Sequence, residues 1–91
     1  MYRIVMLCSG VPEDLGSQAA VDITEEFAQH RPWFSNVTCK FESGRLVLTA
    51  ESDVDQHGLA LTDEFSDCLC AYLPPFDDDG FGVESVTEID S

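Results

Sequence analysis

Basic residues are scarce in this chain of 91 residues: one lysine and three arginines stand against 18 aspartates and glutamates, a formal net charge of −14. A surface of that sign repels phosphates, which argues against direct binding to DNA, RNA or an anionic membrane. No run of about 18 apolar residues occurs, so no segment is expected to span a bilayer. The first apolar stretch, Ile4 to Cys8, is only five residues long. That is too short for a secretion signal, and a cytoplasmic location is the expectation. Cysteines in Cys-x-x-Cys spacing are also absent: Cys8, Cys39, Cys68 and Cys70 offer no zinc or redox pair and are expected as free thiols.

What the chain does have is a globular share of apolar residues, 44%, too rich for a disordered tail. At this length one domain, residues 1–91, is expected, because two would each be too small to bury a core. Size also limits depth: most of the apolar content is needed for that core, and little remains to line a pocket.

The segment Tyr2–Cys8, apolar throughout from Ile4, reads as a central strand. Ser9-Gly10-Val11-Pro12 breaks it, and Pro12 with Glu13 and Asp14 suits a helix start. Gly16, Ala19, Ala20, Ile23 and Phe27 then recur at helical spacing until His30-Arg31, where Pro32 stops the helix. Val37, Cys39 and Phe41 alternate with Thr38, Lys40 and Glu42; Ser43-Gly44 turns the chain; Leu46, Leu48 and Ala50 return it as a hairpin. A second helix carries Leu61, Phe65, Cys68, Leu69 and Tyr72 on one face before Pro74-Pro75. Phe81–Ile89 is a last strand whose imperfect alternation predicts a bulge near Ser85-Val86.

The resulting order, strand-helix-strand-strand-helix-strand, predicts an α+β sandwich of the ferredoxin-like split-βαβ kind: a four-stranded antiparallel sheet with both helices on one face. The first and third strands should be central. Lys40, Glu84 and Glu88 would then guard the edges against aggregation. The other sheet face is left bare, with Val5, Leu7 and Val47 on it, which makes a homodimer through that face a possible arrangement.

Signatures of catalysis are missing. There is no Gly-x-Ser-x-Gly elbow, no phosphate-cradling loop and no His-Glu-x-x-His helix. A phosphatase-type loop after Cys8 would need an Arg where Asp14 stands. The strand order is similar to that of acylphosphatases, but their anion-binding Arg has no counterpart between Ser9 and Leu15, so the resemblance is one of architecture alone. His30 and His57 lack partners at ligand spacing. Asp77-Asp78-Asp79-Gly80 begins like a calcium loop, yet Phe81 falls on a ligand position and Glu84 where an apolar residue belongs. No catalytic residue, metal or cofactor is therefore expected.

Charge is distributed unevenly. Residues 1–45 hold four basic and six acidic residues, a net of −2; residues 46–91 hold twelve acidic residues and no Lys or Arg, a net of −12. The expected fold makes neighbours of the second helix, with Asp63, Glu64 and Asp67, and of Asp53 and Asp55 before it, Asp77, Asp78 and Asp79 after it, and Glu84 on the last strand. Such a surface attracts a basic partner. The leading expectation is a non-catalytic acidic protein of the inhibitor or immunity type, covering the nucleic-acid-binding surface of a basic toxin or nuclease. Two alternatives stand beside it: a salt-adapted protein whose acidity has no partner, and a small regulatory, ligand-binding or enzymatic domain of the same fold.

Overall fold

Alternation along the strands sorts the side chains before any helix is added. The computed structural model describes residues 1–72 and 80–89. Strand β1 (Tyr2–Ser9) buries Ile4, Met6 and Cys8 completely and turns Arg3, Val5 and Leu7 the other way. Its neighbour β3 (Arg45–Ser52) buries Leu46, Leu48 and Ala50 on the same face, each opposite a buried residue of β1. With β2 (Ser35–Glu42) and β4 (Phe81–Glu88) they form one antiparallel sheet in the order β2-β3-β1-β4. The expected central and edge strands hold those places.

One face of the sheet is covered by helices α1 (Glu13–His30) and α2 (Leu59–Tyr72). Helix α1 presents Gly16, Ala19, Ala20, Ile23 and Phe27, and α2 presents Leu61, Phe65, Cys68 and Leu69; all are buried. The element order and layering are those of a ferredoxin-like α+β sandwich. Tyr72, expected on the apolar stripe of α2, is 38% exposed and uses its hydroxyl instead, donating to Glu26 Oε2 at 3.2 Å.

The turn between β2 and β3 needs left-handed backbone at both central residues. Ser43 (φ 51°) and Gly44 (φ 77°) supply it, which matches the twist of the paired strands. In β4 the bulge falls one residue earlier than the sequence suggested. Val5 pairs with Ser85 and Met6 with Val83, so Glu84 is the extra residue. The cause is spacing: Val83 and Val86 are three apart, and only an inserted residue lets both follow Phe81 on the helix side, opposite Met6 and Ile4.

Helix α1 lies close to β2 because Gly16 has no side chain. A Cβ there would stand 2.2 Å from the ring of Phe41. Gly16→Ala should improve helix propensity by about 1 kcal/mol, yet the overpacked ring opposes it with about 1–3 kcal/mol. Net destabilisation in urea unfolding is the expected outcome; a stabilised variant would show that Phe41 does not rest on the helix.

Candidate binding surface

The acidic residues of the second half divide into those used inside the fold and those left to solvent. Helix α2 has Gly58 before its first residue, and Gly58 offers no side-chain acceptor. The carboxylate of Asp55 takes that place, accepting from the N–H of Ala60 at 3.1 Å and of Leu61 at 2.9 Å. Ser52 Oγ in turn accepts from the N–H of Val54 and Asp55, which holds the loop. Asp55 is only 7% exposed. Expected in the partner contact, it is a helix cap instead, and it leaves the contact set.

Glu64 is also engaged. Arg31, just after α1, donates from Nε to Glu64 Oε2 and from Nη1 to Glu26 Oε1 at 3.0 Å, and its guanidinium lies over the Phe27 ring 5.5 Å from the centroid. One cation thus joins the end of α1 to α2, with its own side chain only 14% exposed. Burial works against the Arg31 charge, but the hydrogen bonds to Glu26 and Glu64 outweigh it and raise its pKa. The hydrogen bond from Arg31 holds Glu26 below the usual carboxylate range. His30, four residues from Glu26 and so on the same helix face, approaches it only to 3.9 Å and is largely exposed.

Glu51 has the same fate on the open face of the sheet. Asn36 donates to it at 2.9 Å and Arg3 at 3.2 Å, and these bonds, that of Asn36 first, keep its pKa low. Asn36 adopts a left-handed φ of 48° where the β2–β3 register shifts, which brings its amide to this carboxylate.

Asp53, Asp63, Asp67 and Glu84 remain exposed. Asp63 and Asp67 are one turn apart on the stripe of α2 that faces away from Leu61, Phe65 and Leu69. Glu84, the bulge residue of β4, lines a shallow depression with Leu7, Ser9 and Gly82, residues of the open side of the sheet, and so is not brought beside Asp63 and Asp67 of α2. Asp77, Asp78 and Asp79 lie outside the described residues.

Helix α1 adds carboxylates that counting by halves of the chain missed. Glu13, Asp14 and Glu25 are exposed, and Asp22 accepts from Gln18 at 3.0 Å. Together α1 and α2 carry eight acidic residues and no Lys or Arg. Three of the chain's four basic residues, Arg3, Lys40 and Arg45, sit on the open sheet face instead, at strand positions that alternate with or pair beside the buried ones. The division of charge therefore runs between faces of the sandwich. The signal was present in the strand alternation, since Arg3, Lys40 and Arg45 occupy out-facing positions.

All four cysteines are free; Cys8 and Cys68 are buried, Cys39 is half-buried and Cys70 exposed. Burial pushes the Cys39 thiol up to about 12 and the Cys68 thiol up to about 11. Among the described residues no group of three His, Cys, Asp or Glu is placed to hold a metal ion, and no helix is long and apolar enough to cross a membrane. Compared with known proteins, the chain matches no family model and no curated protein.

Two outcomes follow from these contacts. Asp55→Ala should cost about 1 kcal/mol of stability, the worth of a helix cap, while Asp53→Ala should stay within about 0.5 kcal/mol; equal losses in denaturant unfolding would contradict the separate roles. The second concerns pH. Glu26 and Glu51 titrate below their ordinary value of 4.5, so the stability they add is full above that value and is lost as pH falls through the lower folded ones. Thermal unfolding from pH 7 to pH 2 should show the decline, and Glu51→Gln should make it shallower; an unchanged slope would count against the role of Glu51.

Proposed function

We propose that this protein binds a basic partner with its helical layer, as an inhibitor or immunity-type protein binds the nucleic-acid-contacting surface of a toxin or nuclease in the cytoplasm. The observation that carries the reading is the sorting of charge: eight carboxylates lie on two adjacent helices, and the one arginine beside them, Arg31, is consumed by Glu26 and Glu64. Carboxylates presented in this way substitute for phosphates before arginine and lysine. Asp63 and Asp67 form the proposed centre, with Asp53 beside them; Glu84, next to Leu7 and Ser9 on the open side of the sheet, leaves the set, and Asp77, Asp78 and Asp79 join on sequence grounds alone.

Preorganisation supports the same reading. Asp63 and Asp67 stand on a helix capped by Asp55 and clamped by Arg31, so little ordering is left for the moment of association. Val54, next to Asp53 in the loop before α2, is 87% exposed, and Leu59, the first residue of α2, is 69% exposed. Apolar side chains among carboxylates give a partner somewhere to anchor, whereas acidity serving only solubility or salt adaptation has no use for them.

The test is capture at low salt from the source cell with the immobilised protein, followed by elution with rising salt. A basic protein is expected, displaced from the chain by added DNA or RNA. The double variant Asp63→Lys with Asp67→Lys should slow its association at least tenfold and flatten the salt dependence. Capture of nothing basic, or an association rate untouched by the double reversal, would overturn the proposal.

A further inference from the structure

We infer that the open face of the sheet docks against a second copy of this chain, leaving both acidic helical layers outward. The inference is independent of the proposed partner of the helices. Val5 and Leu7 of β1 and Val47 of β3 lie half-buried at the middle of this face, with β1 and β3 as the two inner strands. Uncharged Thr38, Thr49, Ser85 and Thr87 surround them, placed there by pairing with one another or with Val5 and Arg3. Among the described residues no helix covers these side chains.

Charge selects the occupant. A chain of net −14 repels its own copy at almost every approach. The open face is the exception, because it holds Arg3, Lys40 and Arg45 against Glu42, Glu51 and Glu84, a balance close to neutral. Two sheets packed face to face lie about 10 Å apart. With a helix layer about 10 Å thick behind each, the acidic layers are held about 30 Å from one another, several Debye lengths at physiological salt.

The face is also self-complementary along its strands. Arg45 begins β3 and Glu51 lies near its end. A twofold axis in the plane of the face and perpendicular to the strands lays the Arg45–Glu42 end of one sheet over the Arg3–Glu51 end of the other, each a neutral pair, and places Val5 of one β1 near Leu7 of its copy. Four strands of eight residues span about 19 Å by 26 Å. That gives about 500 Å² per copy, on the order of 1,000 Å² for the pair, the lower bound for a specific interface.

Sedimentation equilibrium between 1 and 500 µM tests the inference. The monomer mass is 10.0 kDa, and the expected result is a reversible rise to twice that mass. Dimerisation should persist from 150 to 500 mM NaCl, because the acidic layers are already several Debye lengths apart and the apolar middle of the face is not screened. Val47→Asp should abolish the dimer. Arg45→Glu, at an exposed position where folding is not at stake, should weaken it at least tenfold, with circular dichroism confirming the fold of both variants. A mass of 10.0 kDa at every concentration would overturn the inference and leave the face to a different partner. So would a dimer indifferent to both substitutions.

Discussion

Two helices that carry eight carboxylates between them must lie side by side on one face of a small sheet, and a single guanidinium bridges them. Arg31 reaches Glu26 on its own side and Glu64 on the other, and rests on Phe27. Burial of Ile23, Phe27, Leu61, Phe65 and Leu69 supplies the attraction between the layers. The arginine removes the repulsion where the helices approach, so the remaining carboxylates can all point outward. With it in place, acidity becomes a property of one surface instead of a cost spread through the fold.

The same economy of cations governs the opposite face. Arg3 is spent on Glu51, and Lys40 and Arg45 stand on the hairpin β2–β3. The sandwich is thus polar across its thickness: a strongly negative helical side, and a sheet side that is close to neutral with valine and leucine at its middle. These are two surfaces of different chemistry, and they suit two different contacts. A uniformly acidic coat, the expectation for salt adaptation, would not leave one face so nearly neutral.

Much of this was legible in the sequence because hydrophobic periodicity and turn residues are local signals. Gly16, Ala19, Ala20, Ile23 and Phe27 named the buried face of α1, and Ser43-Gly44 named the hairpin. The bulge was misplaced by one residue, since periodicity reports that a strand is irregular but a partner's register decides where. Asp55 and Glu64 were harder. A carboxylate in an acidic run looks the same whether it faces water, caps a helix from four residues ahead of it, or meets an arginine 33 positions away. The spread of charge between faces, likewise, emerges only when strands from distant parts of the chain are laid beside each other.

The claim on which the rest turns is that negative potential belongs to the helical layer and not to the whole surface. Titrating the labelled protein with a short oligolysine and following backbone amide shifts by NMR reads this directly. The account predicts saturable shifts along α1 and α2, largest near Asp22, Glu25, Asp63 and Asp67, with Val5, Val47 and Thr49 unmoved. Shifts of similar size on both faces of the sheet would contradict it.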